Sequence, residues 1–312
     1  MLSPLPAMLY HPCYSDLLLP PLHRYPITKY RELYQQLRSI GVPAGAFTPS
    51  EPVSTTLLAQ VHCPQYIQSL ADGSIDAKAM RRIGFPWSEQ LFQRSLHSLG
   101  GTLQTAQAAL TSGIALHLSG GYHHAFYAEG SGFCLFNDLV LAAKTLLCQG
   151  LDKILIIDLD VHQGDGSAAM LSDETRIISC SIHCGKNFPY RKQQSDWDIA
   201  VEKDCSDNDY LQAVQQSLHS LLNWHQPDLV LYDAGVDIHQ LDELGLLNIS
   251  TPALYQRDLL VLQSCVDRSI PVAAVIGGGY QRNVAALVKL HLQLFKAAFT
   301  LCGSDLAGKI ET

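Results

Sequence analysis

Residues 154–166 read ILIIDLDVHQGDG. Ile154 to Ile157 form an unbroken Ile/Leu run, the mark of a strand covered on both faces in a parallel sheet. Acids and an imidazole follow at once, as Asp158, Asp160, His162 and Asp165. Isolated carboxylates are too costly to bury, so they pair, accept hydrogen bonds or bind a metal. If the extended backbone continues past the run, Asp160 and His162 share one face. A carboxylate oxygen and an imidazole nitrogen on one face are ligands of the kind Zn²⁺ takes.

Apolar runs of this type recur. Candidate strands are 7–11, 114–118, 153–158, 177–182, 229–233 and 271–276. Candidate helices lie between them, at 28–40, 88–112, 133–149, 208–224, 251–267 and 282–301. The alternation predicts an α/β domain of three layers, a parallel sheet with helices on both faces. Pro43, Gly113, Gly150, Pro227, Pro271 and the glycines at 277–279 punctuate the elements. The polar and aromatic stretch 185–207 has no clear period and reads as a long ordered loop, a type that is often functional. No linker or repeat interrupts the chain, so one domain over 1–312 is expected.

The 312 residues, 47% hydrophobic, suffice for a sizeable core. A net charge of −8 argues against nucleic-acid binding through a basic surface. The nine cysteines are scattered without a CxxC pair, which argues against a structural zinc finger or a disulfide framework and suits a reducing cytosol. The opening MLSPLPAMLYHP has no basic region followed by an apolar run, so no signal peptide is expected. No unbroken apolar run reaches membrane-spanning length, so no span is expected either. The expected location is the cytoplasm.

The chemically demanding residues fall just after the strand candidates, where open parallel sheets bind ligands. Asp160, His162 and Asp237 offer an O, N, O set, enough for a catalytic zinc that keeps one position open. The bland alternative is a pair of core acids capping backbone amides, which accounts poorly for a histidine among them. His123 and His124 follow Gly120 and Gly121 in a tight loop, and two imidazoles can divide the work of base and acid. Each needs an acceptor on its other nitrogen, and Asp158 and Asp165 are the candidates. Tyr280 ends GGGY, where a phenol is able to reach over a pocket and donate to an oxyanion. Phe133 and Phe188 are candidate channel walls, although such aromatics are more often core.

GGYHHA (120–125), GFCLFND (132–138), DLDVHQGDG (158–166), AGVD (234–237) and GGGY (277–280), in this order, resemble the zinc-dependent histone deacetylase family. HRYPITKYREL (23–33), FPYRKQQSDWDI (188–199) and LYDAGVDI (231–238) resemble its class IV branch and bacterial relatives. The resemblance implies the arginase/deacetylase fold, with a parallel sheet of about eight strands. It implies Zn²⁺ on Asp160, His162 and Asp237. It pairs His123 with Asp158 and His124 with Asp165, and makes His124 the general base. It gives Tyr280 the scissile carbonyl, and Phe133 and Phe188 the acyl-lysine channel. It directs the Gly132 carbonyl to the lysine amide. It places a monovalent cation, usually K⁺, beside Asp158, Asp160, His162, Ser181 and Ile182. The acid with which class I members grip the substrate backbone has no equivalent in RRIGFPWSEQ (81–90). Long terminal extensions like those of regulatory members are not expected.

The implied activity is hydrolysis of Nε-acyl-lysine in a protein or peptide. An acetylpolyamine or other small acylated amine is the alternative substrate. A binuclear manganese ureohydrolase would need further acids: the spacing here is DxHxxD at 160–165, and Ile238-His239 follow Asp237. A non-catalytic acyl-lysine binder would have lost a ligand or the tyrosine, and neither is lost.

Overall fold

In the computed structural model, which describes residues 2–312, the 154–158 run is strand β4 of an eight-stranded, wholly parallel sheet. In chain order the strands are β1 (Ala7–Leu9), β2 (Phe47–Thr48), β3 (Ile114–His117), β4 (Ile154–Asp158), β5 (Ile177–Cys184), β6 (Trp197–Val201), β7 (Leu229–Asp233) and β8 (Val272–Val275). Their spatial order is β2-β1-β3-β8-β7-β4-β5-β6. β3, β4, β5, β7 and β8 are buried at every position, as their Val/Ile/Leu/Ala content requires.

Helices pack on both faces: α1 (Lys29–Ser39), α2 (Thr55–Leu58), α3 (Pro64–Asp72), α4 (Ala77–Ile83), α5 (Glu89–Ser112), α6 (Asp138–Cys148), α7 (Asp165–Leu171), α8 (Asp207–His225), α9 (Thr251–Val266) and α10 (Val284–Leu301). Side chains of Ser88, Asn137, Ser206, Ser250 and Asn283 accept backbone N–H groups at the starts of α5, α6, α8, α9 and α10. Such caps contribute about 1 kcal/mol each. Among the described residues α10 alone is long and apolar enough to cross a bilayer. Most of it is buried against α1 and α9, as a core helix is.

Three expectations are corrected. The stretch 185–207 is not all loop: residues 197–201 form β6, the edge strand beside β5. The helix expected over 133–149 begins at Asp138. Before it, Ser131 and Cys134 bridge a tight turn with Phe133 at φ +66°, a left-handed conformation no helix contains. β2 and the short helices α2, α3, α4 and α7 were not expected. They are too brief to impose a period on the sequence.

One buried arginine ties the strand ends together. Arg257, on α9, donates to the carbonyls of Leu159, Ala234 and Gly235 and pairs with Asp258 at 2.8 Å. It fixes the loops after β4 and β7 to each other.

Candidate active site

Four loops leave the carboxyl ends of β3, β4, β7 and β8 on one side of the sheet. They carry His123 and His124, Asp160 and His162, Asp237, and Tyr280 respectively. One oxygen or nitrogen from each of Asp160, His162 and Asp237 lies within 4.8 Å of the others, and all three residues are buried. His162 Nδ1 stands 2.9 Å from Asp160 Oδ1 and 3.1 Å from Asp237 Oδ2. Backbone amides hold the carboxylates in place: Gly278 N–H donates to Asp160 Oδ2, and Val161 N–H to Asp237 Oδ1. A Cβ on Gly278 would collide with both carboxylates, so only glycine lets the backbone close over this cradle.

The electrostatics fit a cation. Burial, reinforced by the Asp160 charge, pushes Asp237 up to about 7. Burial works against a charge on His162, but Asp160 and Asp237 outweigh it and hold the imidazole up at about 10. Burial also works against the Asp160 charge, but His123 and His162 keep that carboxyl well below its ordinary range. Two buried acids thus favour positive charge between them, and the upward shift of His162 points the same way. Two oxygens and a nitrogen around that point form a donor set suited to zinc.

The histidine pair stands beside this cradle. His123 Nδ1 is 2.7 Å from Asp158 Oδ2, and His124 Nδ1 is 2.7 Å from Asp165 Oδ1. The two Nε2 atoms face each other at 3.1 Å. Burial disfavours a charge on His123, but Asp158, Asp160 and Asp233 together hold it well above the ordinary histidine value. His124 is pushed down to about 4, first by burial and then by the neighbouring His123. The surroundings thus drive the two imidazoles apart, His123 towards the protonated form and His124 towards the neutral one.

A cavity of about 390 Å³ opens onto these groups. His124, His162, Gly132, Phe133, Phe188 and Tyr280 line it, and the exposed side chains of Arg82 and Lys186 mark its mouth. The Phe188 ring meets His124 at 4.9 Å between centroids, and Phe133 meets Tyr280 at 5.8 Å. Gly132, at φ +51°, lies so close that a Cβ there would come within 2.6 Å of the His124 ring. Burial, then Asp160 and Asp237, push the Tyr280 phenol well above its ordinary value, so it stays a donor. The ladder sets Asp158 opposite Ser181, next to Ile182, with the Ser181 hydroxyl 3.0 Å from His183 Nδ1.

Three acids escaped the sequence reading. Asp138 accepts from the amides of Gly121 and Tyr122 and so shapes the loop carrying the histidines. Asp242 accepts from the Tyr280 amide at 2.7 Å. Asp233 is buried 3.9 Å from His123 Nδ1, with no hydrogen-bond partner for its carboxylate among the described residues. Asp138 and Asp233 lie inside the quoted motifs GFCLFND and LYDAGVDI, which was the available signal. Asp242 lay outside them.

Comparison with known proteins matches residues 23–295 to the family described as histone deacetylase domain. The chain belongs to the histone deacetylase family. It is 45% identical to an uncharacterized protein of Picosynechococcus sp. over 93% of this chain and 97% of that one. It is 30% identical to histone deacetylase 2 of Arabidopsis thaliana, over 86% of this chain and 72% of that one. Acetoin utilization protein AcuC of Bacillus subtilis is 27% identical, over 88% and 77%. The fold superposes on the crystal structure of a histone deacetylase homolog complexed with SAHA, with TM-score 0.81 and 22% identity over 98% of this chain and 88% of that one. The three-layer fold is thus the histone deacetylase fold, and the protein is a hydrolase of the deacetylase type.

Proposed function

We propose that the protein removes acyl groups from Nε-acyl-lysine, as a single catalytic domain over 1–312, with zinc held by Asp160, His162 and Asp237. The observation carrying the reading is the histidine pair. Two imidazoles, each anchored on its own carboxylate at 2.7 Å, converge at 3.1 Å beside the three-ligand cradle, and the outer one, His124, lines an open cavity. When bound, the metal would supply Lewis acidity, polarising the amide carbonyl and acidifying a water.

The protein's own groups do the rest. Phe133 and Phe188 enclose the acyl-lysine chain, and the Gly132 carbonyl accepts the substrate amide N–H. His124 Nε2 takes the proton of the attacking water, while Asp165 fixes its tautomer through Nδ1. The facing Nε2–H of His123, oriented by Asp158, donates its own proton to the leaving lysine amine, and the proton taken up by His124 restores it afterwards. The Tyr280 hydroxyl donates to the carbonyl oxygen as negative charge develops. Asp158, Asp160, His162, Ser181 and Ile182 would hold a monovalent cation, K⁺ in this reading, which would brace the loop after β4. A small acylated amine is the alternative substrate for the same floor. The proposed setting is the cytoplasm, without nucleic acid or membrane as partner.

The test is turnover of an acetyl-lysine peptide alongside metal analysis. Chelation should abolish activity and Zn²⁺ restore it, and Asp237→Ala should lose the metal. Turnover that survives chelation, or full zinc occupancy in Asp237→Ala, defeats the assignment.

A further inference from the structure

The charged side chains that line the cavity differ in sign from the chain as a whole. The protein carries a net −8, yet the Lys, Arg, Asp and Glu side chains lining the cavity are two cations, Arg82 and Lys186, with no acid among them. Their partners, Glu129 at 2.8 Å and Glu202 at 3.8 Å, lie outside the lining. Arg82 is held in place: its Nε donates to the Gly130 carbonyl and Nη2 pairs with Glu129, while Nη1 has no partner among the described residues. Lys186 sits beside a braced loop, because Lys192 Nζ donates to the carbonyls of Asn187 and Pro189. The mouth therefore presents two cations from separate segments, one of them pre-oriented, above the channel walls.

We propose that Arg82 and Lys186 select acyl-lysine that carries a carboxylate beside it, and turn away acylated polyamines. The inference rests on the deacylase reading and names its substrate class. A guanidinium and an ammonium recognise carboxylate through charge-assisted hydrogen bonds. An acylated polyamine brings further ammonium groups to the same mouth and meets like charge, which complementary interfaces use to reject wrong partners. The carboxylate has two possible sources: an Asp or Glu flanking the acyl-lysine, or the α-carboxylate of a chain that ends in it.

The experiment measures kcat/KM of the zinc-loaded protein on acetyl-lysine peptides with acidic, neutral or lysine flanks. Further arms are a peptide ending in acetyl-lysine with its carboxylate free or amidated, and N-acetylspermidine. Acidic flanks should exceed lysine flanks by about fivefold to twentyfold at low salt, and by less at high salt. The free-carboxylate arm tells a chain end from a flanking acid. The double variant Arg82→Glu/Lys186→Glu should invert the order. Lys153→Glu, at the opposite end of the sheet, should not. Fluorescence anisotropy of the same peptides on chelated protein should give the same ranking. Equal rates on all peptides, an order unchanged in the double variant, or N-acetylspermidine as the best substrate overturns the proposal. If no acylated amine is hydrolysed but the binding order holds, the deacylase reading fails and the mouth's selectivity stands.

Discussion

At and beneath the cavity floor, which His124 lines, His123, His124, Asp158 and Asp165 are buried and locked in pairs at 2.7 Å. At the mouth the Arg82 and Lys186 side chains are 46% and 64% exposed, and Lys186 meets its acid only at 3.8 Å. The same kinds of charged group thus work under two dielectrics. Buried charges interact strongly and are screened little, while exposed ones are worth roughly 1 kcal/mol or less and fade with salt. Chemistry belongs at the floor, where a lost partner is costly. Preference among substrates belongs at the mouth, where charge can change without unfolding the protein.

The contrast can be broken from the floor upward. His124→Ala should lower kcat about 10²–10⁴-fold while zinc stays stoichiometric, because a base is removed and no ligand is touched. A wild-type rate in that variant would assign the base elsewhere. Tyr280→Phe should lower kcat about 10²–10³-fold with little change in KM, since the phenol's hydrogen bond matters most once the carbonyl oxygen is charged. An unchanged kcat would leave the oxyanion to other groups.

A third test concerns acid stability behind the floor. His62 is buried, accepts from the Asn137 amide through Nε2, and is pushed down to about 4 by burial. Its folded pKa lies below the unfolded value of about 6.5, so the unfolded chain binds the extra proton. The stability it contributes is present above pH 6.5 and is lost as the pH falls towards 4, by roughly 3 kcal/mol at most. Denaturation midpoints of wild type and His62→Gln should converge across that window. A constant difference would show that His62 does not titrate on unfolding. The smallest effect belongs to the channel wall between floor and mouth: Phe188→Ala should raise KM about fivefold to thirtyfold through lost apolar contact, with kcat less affected. A fall in kcat alone would make Phe188 part of the chemistry.

Much of the floor was readable because its residues break the pattern around them. Asp160 and His162 come directly after an Ile/Leu run, and the histidine pair and the glycine run each follow a strand. Asp233 escaped because it closes such a run without a second unusual residue beside it. β6 escaped because an edge strand pairs on one side only, and residues 197–201 alternate between half-buried and exposed. Phe133 was assigned to a helix because nothing in its identity announces φ +66°. The backbone there costs about 1–2 kcal/mol and is held by neighbours distant in sequence, including the Ile83 carbonyl that accepts its amide at 2.7 Å. The mouth loops were the least legible, since exposed charge carries no period.

The strand order has a consequence for how the protein is made. β8 is the last strand synthesised, yet it lies between β3 and β7. Until residue 275 leaves the ribosome, the β2-β1-β3 half and the β7-β4-β5-β6 half share no ladder. The histidine pair sits on the first half and the three-ligand cradle on the second, so a nascent chain carries both parts of the site unjoined. Non-local parallel pairing of this kind folds slowly and exposes strand edges meanwhile. Nascent chains arrested before residue 272 should therefore be protease-sensitive and hold no complete floor, whereas release of the last strand and α10 should close the sheet and the site in one step.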